Sequence, residues 1–425
     1  MHVPRNPPEI EAFLHDEQMS KEVLSEGVRE YAKKYNTKYL HWSEVRMRDT
    51  GTYHPDAVWA RMKLVRTDNN ISLVFGNTRF QYGITDNMMR LLREFDSMAT
   101  GGLFPEAIDT HKKVYYSVSS AMEESIASSQ MEGAVTTTKV AKEILRKNLR
   151  PKDKSERMIV NNYHAMLFIK DNLSQPLTPD LIGRIHEIVT DGTLGERYRG
   201  VFRDNDNVVV QDAFSGEVFH QPIPHEEIDP SIRQLCEFIN DDSDFLHPVI
   251  KGIILHYVLA FIHPFEDGNG RVARSLFYWY ELKHGYWLME YLALSRYIKE
   301  HKGKYEEAYV FGETDGNDMN YFILYNLKAL IESVGRFKSY LTEKMEEERS
   351  TKGKLSGCGL NDRQMQIVAA IMGGSTVTVK SIQTQYSVSL NTARSDIRLL
   401  NDLGLLAESG REVNQIVYSW TGNTV

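Results

Sequence analysis

The residues of this chain that are best suited to take part in a reaction lie together at positions 263–274, His-Pro-Phe-Glu-Asp-Gly-Asn-Gly-Arg-Val-Ala-Arg. An imidazole has an ordinary pKa of about 6.5 and takes a proton from a nucleophile at neutral pH. Carboxylate oxygen is a ligand that Mg²⁺ shares with substrate phosphates. Arginine binds phosphate oxygens through its forked donors. The segment therefore contains the groups needed to hold a polyphosphate and to deprotonate an attacking hydroxyl.

The elements on either side of the segment would bring these groups together. An apolar helical pattern over 248–262 ends at His263, because the following proline cannot continue the hydrogen-bond ladder. A second helix begins near Asn269, so its N-terminus and the glycine-rich backbone before it would form an anion site. Arg271 and Arg274 are three residues apart and share one face of that helix. Taken alone, His263 also fits a helix cap, the Gly-Asn-Gly stretch an ordinary turn, and the two arginines a solvated helix face. Their order between two helices favours a phosphate site.

The segment resembles the signature of the Fic family, His-x-Phe-x-Asp/Glu-Gly-Asn-Gly-Arg-x-x-Arg, at every defined position. The related Doc-type kinases have lysine where this chain has Gly270. The resemblance therefore implies transfer of AMP from ATP to a Ser, Thr or Tyr hydroxyl of a protein, with release of pyrophosphate. The implied roles are general base for His263, Mg²⁺ ligand for Asp267, and phosphate contacts for Gly268, Asn269, Gly270, Arg271 and Arg274.

An earlier segment resembles a regulatory motif of the same family. A helical pattern over 119–133 ends in Ser128-Ser129-Gln130-Met131-Glu132-Gly133, where Ser128 and Glu132 share a face and Gly133 is a natural helix stop. On the residues alone this is also an ordinary helix end. It is similar to the Ser/Thr-x-x-x-Glu-Gly/Asn motif of Fic proteins whose inhibitory helix precedes the catalytic core. The resemblance implies autoinhibition, in which Glu132 pairs with Arg274 and occupies the group that should bind the γ-phosphate of ATP.

A β-hairpin is predicted over 201–222, because two valine-rich runs flank Phe214-Ser215-Gly216. It follows a Gly-x-x-Tyr-Arg stretch at 195–199 that is similar to the one before the active-site flap of Fic proteins. The edge of such a flap can accept a strand of a protein substrate. After the signature, Tyr305 and Asn320 are candidates for a nucleoside pocket, and Asp318 is a candidate helix N-cap.

The C-terminal residues 358–425 resemble a winged helix-turn-helix domain. Helical patterns cover 360–372, 379–386 and 391–403, with Ser389 as an N-cap, and a hairpin follows around Ser409-Gly410-Arg411. Residues 359–425 contain five basic and five acidic side chains, whereas a protein that relies on phosphate contacts is usually basic. DNA and protein therefore both remain open as partners, with Asn391, Thr392 and Arg394 as the candidate DNA contacts.

The bulk sequence fits a mostly α protein of several domains, with 425 residues, 41% hydrophobic and 25% charged residues, and a net charge of −8. We predict an N-terminal accessory region at 1–110 with no assigned function, a Fic helical core at 111–341, and a linker at 342–357. Two cysteines support neither a disulfide framework nor a zinc cluster. No signal peptide and no apolar run of bilayer length occur, so a cytoplasmic location without membrane contact is expected. The oligomeric state stays open, a homodimer included.

The leading hypothesis from the sequence is a protein adenylyltransferase that uses ATP and Mg²⁺. One alternative is a DNA-binding regulator whose Fic core only senses a nucleotide. An intact His263 and Asp267 favour the enzyme, because sensing does not require a base. A second alternative is an enzyme with another nucleotide donor, since the signature contacts phosphates and leaves the base unspecified.

Overall fold

The protein was analysed as a computed structural model, which describes residue 4 and residues 6–100, 110–211, 216–354, 359–372, 374–412 and 415–422. The described chain is mostly helical, as predicted. Its three small sheets are antiparallel hairpins of two strands each. None of the described helices combines the length and apolar character needed to cross a bilayer.

The N-terminal part has its own small core, formed by five helices. These are α1 (Ile10–Leu14), α2 (Glu17–Val23), α3 (Glu26–Lys38), α4 (Trp42–Val45) and α5 (Pro55–Thr67). Side chains of Asp16, Ser25 and His54 cap α2, α3 and α5, which explains where these helices begin. The hairpin β1 (Asn70–Phe75) and β2 (Thr78–Gly83) follows, and then α6 (Asp86–Thr100).

The large central core is built from helices on both sides of the 263–274 segment. They are α7 (Thr110–Met131), α9 (Lys154–Asp171), α10 (Pro179–Val189), α11 (Ile228–Asn240), α12 (Pro248–Ile262), α13 (Asn269–Lys283), α14 (Leu294–Glu300), α15 (Lys302–Thr314) and α16 (Asn320–Lys354). Helix α8 (Thr138–Lys147) packs with α7 and α9 in a smaller cluster of its own. The hairpin β3 (Val210–Gln211) and β4 (Val218–His220) lies between α10 and α11. Almost every residue of α12 and α13 is buried, so this helix pair fixes the loop between them.

The predicted boundary at residue 110 does not coincide with a break in packing. Buried residues of β1, β2 and α6, such as Phe80 and Phe95, belong to the central core. The two parts also share a buried charged contact, in which Lys63 Nζ lies 2.8 Å from Asp315. Arg66 donates a hydrogen bond of 2.7 Å to the hydroxyl of Tyr321. Residues after about 70 are therefore continuous with the helical core.

The final helix of the core is longer than predicted. The sequence indicated a linker over 342–357, but α16 continues to Lys354. Of the eight residues 342–349, four are Glu and three are Lys, Met and Arg, all of which are good helix formers, and the charges recur at helical spacing. Residues 355–358 lie outside the described part. Asp318 accepts a hydrogen bond of 3.1 Å from the N–H of Asn320, the first residue of α16.

The C-terminal unit has a separate hydrophobic core. It consists of α17 (Asp362–Met372), α18 (Val379–Tyr386), α19 (Leu390–Asp402), β5 (Leu406–Glu412) and β6 (Gln415–Trp420). Ser389 caps α19 as predicted. The hairpin turn was predicted around Ser409-Gly410-Arg411, and this is wrong: these residues lie within β5, whose pairing shifts register between Glu408 and Gly410 and continues to Glu412. A glycine inside a strand pattern here marks a bulge instead of the turn.

Candidate active site

His263 occupies the predicted position at the C-terminus of α12. Its backbone is in the left-handed region, with φ of 52°, and this turns the chain out of the helix before Pro264. Nδ1 of the ring lies 3.2 Å from the carbonyl of Ala260. A carbonyl only accepts, so Nδ1 carries the proton and Nε2 presents a lone pair. Burial lowers the pKa of His263 to about 4, although the Ala260 carbonyl and Glu132 act in the opposite direction. The ring is therefore neutral at pH 7 and able to accept a proton.

The loop after His263 is held in shape by Asn269. Its side chain accepts from the N–H of Phe265 at 2.9 Å and donates to the carbonyl of the same residue at 2.8 Å. Gly268, with φ of 90°, then starts α13. Both polar atoms of the Asn269 side chain are thus bonded within the loop. The donors of the predicted anion site are therefore the backbone N–H groups at the start of α13.

Glu132 lies directly at this helix N-terminus. A methyl group built at Gly270 would collide with the Glu132 carboxylate, so only glycine allows this approach. The carboxylate also accepts a hydrogen bond of 2.8 Å from Arg274 Nη2. Burial raises the pKa of Glu132, but the charge and the hydrogen bond of Arg274, together with the charge of Arg271, outweigh this effect, and the net pKa is lowered. A carboxylate of this protein therefore fills the place that the sequence predicted for phosphate.

Besides the predicted contact with Glu132, Arg274 makes two contacts with Ser128 that were not predicted. Its Nε donates to Ser128 Oγ at 2.8 Å, and Nη2 donates to the Ser128 carbonyl at 3.1 Å. Only 5% of its side chain is exposed, compared with 33% for Glu132. Gly133, with φ of 92°, turns the chain away immediately after Glu132. The three residues of the predicted inhibitory motif are thus adjacent to the signature segment.

Arg271 has a different environment from Arg274. Its buried guanidinium donates to the carbonyl of Val189 at 2.7 Å and to Asp267 Oδ1 at 3.2 Å. It therefore connects the end of α10 to the side chain of Asp267. The Asp267 side chain itself remains 40% exposed.

The two candidates for a nucleoside pocket differ from each other. Asn320 was predicted there, but both polar atoms of its buried side chain bond to the backbone of Gly83, at 3.2 and 2.9 Å. It holds β2 to the start of α16, and both polar atoms of its side chain are used in doing so. Tyr305 is buried beside the signature segment, where its hydroxyl lies 3.0 Å from Nε2 of His256 and interacts electrostatically with Arg274.

The predicted hairpin is present as β3 and β4, although Asp212 to Ser215 lie outside the described residues. Its second strand is fixed to the core by His220. One ring nitrogen lies 2.6 Å from the carbonyl of Phe261 and the other 2.7 Å from the Glu313 carboxylate. The hairpin is therefore anchored to the last turn of α12, beside His263.

Two positioning residues were missed by the sequence analysis. His186 stacks on Phe265 with ring centroids 3.7 Å apart, its Nε2 lies 2.9 Å from the carbonyl of Asp267, and its Nδ1 accepts from the N–H of Gly200. A histidine on the apolar face of the α10 pattern was the available signal. Arg203 donates from Nε to the carbonyl of His263 at 3.0 Å and from its backbone to Pro264 at 2.8 Å. No local pattern distinguishes Arg203 from a surface arginine.

Residues 176–280, which include α10, the hairpin, α12 and most of α13, match the Fic/DOC family. The chain contains a Fic/DOC-family domain. Two similar relatives are the protein adenylyltransferase fic-1 of Caenorhabditis elegans and the protein adenylyltransferase Fic of Nematostella vectensis. The first is 29% identical over 104 residues, covering 24% of this chain and 20% of the relative. The second is 30% identical over 165 residues, covering 37% of this chain and 34% of the relative.

The matched part of this chain thus spans about a third or less of each of these relatives. The fold is similar to the crystal structure of a Fic family protein from Desulfovibrio desulfuricans, with a TM-score of 0.51. That similarity covers 80% of this chain and 98% of the other, at 19% sequence identity, and it concerns the fold. The predicted family is thereby confirmed for the Fic domain.

His186→Phe tests how the Fic loop is positioned. The variant keeps a ring against Phe265 but loses the bonds to Asp267 and Gly200, so we expect the free energy of unfolding to fall by about 2 kcal/mol. Urea denaturation measures this change. His164→Phe on the exposed face of α9 is the matched control, for which a change within about 0.5 kcal/mol is expected. Equal stability of the two variants would contradict the positioning role.

Proposed function

We propose that this chain transfers AMP from ATP to a side-chain hydroxyl of a protein, and that Glu132 holds it in an inhibited state. One observation carries the proposal. The segment that holds a neutral His263 also forms an anion site, and the carboxylate of Glu132 fills that site. The names of the relatives, protein adenylyltransferases, agree with this chemistry. A nucleotide sensor would not need the base.

His263 is the general base of the proposed reaction. Nε2 takes the proton of the target hydroxyl as its oxygen attacks the α-phosphorus of ATP. The bond from that phosphorus to the oxygen bridging to the β-phosphate breaks, and pyrophosphate leaves with the electron pair. The hydrogen bond from Nδ1 to Ala260 keeps the ring in the required tautomer, and Arg203 holds the backbone of the same residue.

The N-terminus of α13 and Arg274 would bind the phosphates. Backbone N–H groups at Gly268, Asn269 and Gly270 present donors without obstructing side chains, and the helix dipole favours an anion there. Arg274 would exchange its bond to Glu132 for one to the γ-phosphate. Arg271 supports this site by holding Asp267, and it is also a candidate for contact with the outer phosphates.

Asp267 is the residue that would hold Mg²⁺. No group of three or more His, Cys, Asp or Glu within the described residues could enclose a metal ion by itself. A single, partly exposed carboxylate nevertheless fits Mg²⁺, which takes one or two protein carboxylates and completes its coordination with phosphate oxygens and water. The ion, when bound, supplies charge neutralisation for the phosphates.

The hairpin β3–β4 would receive the protein substrate. It lies next to His263 through the His220 contact to Phe261, and Val218 on β4 is half exposed. A free strand edge pairs with an extended peptide through backbone hydrogen bonds, whatever the peptide's sequence. Such pairing would place a target hydroxyl beside the base.

Glu132→Gly is expected to raise AMP transfer by at least about tenfold, because the competing carboxylate is removed and more of the protein can bind ATP productively. The assay follows the AMP mass adduct on proteins of a lysate by mass spectrometry. The same substitution in a His263→Ala background controls for other nucleotide transfer and is expected to give no adduct. Equal transfer by the wild type and the Glu132→Gly variant would contradict the inhibitory role.

The pH profile of the Glu132→Gly variant tests the base. The pKa of His263 is about 4 when Glu132 is present, and loss of that carboxylate, which raises it, lowers it further. The ring is neutral above its pKa, so kcat/KM should be nearly constant between about pH 5.5 and 7.5 and should fall only in more acidic solution. An acid limb centred between about pH 6 and 7 would contradict this prediction.

A second candidate activity, DNA contact through α19, is favoured by one observation. Asp396 is buried and paired with Arg363 at 2.7 Å, so its charge is neutralised inside the C-terminal unit. The exposed positions of α19 around it include Asn391, Arg394 and Arg398. The pair removes one charge of each sign from the even count of residues 359–425, but the exposed charges of α19 itself are Arg394, Arg398 and Asp402. This local excess of one positive charge suits a helix that enters the major groove.

Arg394→Ala tests this contact. If α19 binds DNA, a gel-shift titration with genomic fragments at about 50 mM salt should show weaker binding by the variant, with a shallower salt dependence. Arg150→Ala, an exposed arginine far from α19 in sequence, is the matched control. Absence of a shift with the wild-type protein would leave the C-terminal unit as a protein-binding module.

A further inference from the structure

The C-terminal unit packs directly on α7, the helix whose last residue, Met131, precedes Glu132. Gln385 Nε2 on α18 donates a hydrogen bond of 2.9 Å to Ser119 Oγ. The ring of Tyr386 stacks on that of Tyr115, with centroids 5.3 Å apart. At the start of α7, Lys112 Nζ lies 3.8 Å from the carboxylate of Asp362 on α17. The first half of α7 is therefore held by the C-terminal unit.

α18 also contacts α8, the helix that follows the turn after Glu132. The chain thus carries Glu132 in the connection between two helices, and both of them rest on α18. α7 and α8 further share an apolar cluster that includes Met122, Ile126 and Leu145. A change at α18 would reach Glu132 from both sides of that connection.

α7 is suited to carry such a change along its length. It runs for 22 residues, and it contains neither glycine nor proline that could absorb a bend. Ser119 and Glu132 are thirteen residues apart, which corresponds to about 20 Å along a helix. A small tilt at the α18 contact therefore alters the position of Ser128 and Glu132 relative to Arg274.

Other contacts hold α7 to the Fic core without the C-terminal unit. The buried carboxylate of Glu124 accepts from Tyr278 at 2.9 Å and from the N–H of Ser295 at 2.8 Å. Ser120 donates to the carbonyl of Tyr291 at 2.8 Å. Loss of the α18 contact would therefore shift the equilibrium of the last turns of α7 without unfolding the helix.

We propose that docking of the C-terminal unit on α7 sets the strength of inhibition by Glu132. In the docked state α7 is placed so that Glu132 occupies Arg274, and a ligand that binds the C-terminal unit only when α18 has left α7 releases the inhibition. The coupling is reciprocal, so occupation of the phosphate site in turn weakens docking. This inference rests on the proposed function and adds a regulatory input to it.

Tyr115→Ala combined with Gln385→Ala tests the coupling, because the pair removes the stacking and the hydrogen bond at the α7–α18 contact. We expect AMP transfer to rise about threefold to tenfold, which is within the range by which residues away from both ligands modulate the coupling between sites. Amide exchange in residues 125–133 should also become faster. In a Glu132→Gly background the same pair should give no further increase, because the inhibition it relieves is already absent.

Two matched variants separate the coupling from general destabilisation. Tyr115→Phe keeps the ring stack and should behave like the wild type. Gln383→Ala removes a glutamine from the same helix, two positions away, whose side chain makes no hydrogen bond to the described residues; it should also leave activity and exchange unchanged.

Unchanged transfer and unchanged exchange in the double variant, with an active Glu132→Gly protein, would overturn the coupling and leave the proposed function intact. If Glu132→Gly itself transfers no AMP, the proposed function fails. In that case the amide-exchange rate of residues 125–133 still tests whether docking of the C-terminal unit affects the end of α7, because this measurement requires no catalysis.

Discussion

The contact between Arg274 and the Ser128–Glu132 segment is the interaction on which the state of the whole site depends. A guanidinium that is almost fully buried requires an anionic or carbonyl partner, because an unpaired buried charge is strongly unfavourable. Glu132 and the Ser128 carbonyl provide these partners from within the chain. The same requirement would be met by a phosphate. In the proposed function the site therefore has two alternative occupants for one cation, and the free-energy difference between them would determine the active fraction.

The local geometry at Gly270 makes this competition strict. The Glu132 carboxylate lies so close to the start of α13 that any side chain at Gly270 would displace it. A phosphate at the helix N-terminus would occupy the same volume, so carboxylate and ligand exclude each other sterically as well as electrostatically. A protein with equal affinity for ATP in both arrangements could not be regulated by this helix, since only differential binding shifts a population.

The sequence predicted those features that depend on local patterns. The end of α12 at His263 follows from the proline after it, and the contact of Glu132 with Arg274 was implied by two motifs whose spacing places each on one helix face. The cap at Ser389 is equally local. By contrast, the bonds of Asn320 to Gly83 connect residues that are 237 positions apart, and no pattern in either segment indicates them. His186 and Arg203 were missed for the same reason, because their roles arise only when three segments meet at the loop.

Boundaries between units were the other weak point, and the cause is again tertiary. A run of charged residues after 341 is compatible with a linker or with an exposed helix. The residues continue α16 because its earlier turns are already packed in the core, and extending an existing helix is easier than starting a new one. This continuous helix leads from the core towards α17, while α7 returns from the C-terminal unit to Glu132. The C-terminal unit thus meets the Fic domain through two long helices, and one of them, α7, ends directly before Glu132, the residue proposed to compete with phosphate. The bonds of Glu124 and Ser120 hold the middle of α7 to the Fic core, so the proposed coupling requires that α7, which contains neither glycine nor proline, tilts about these bonds as a continuous helix.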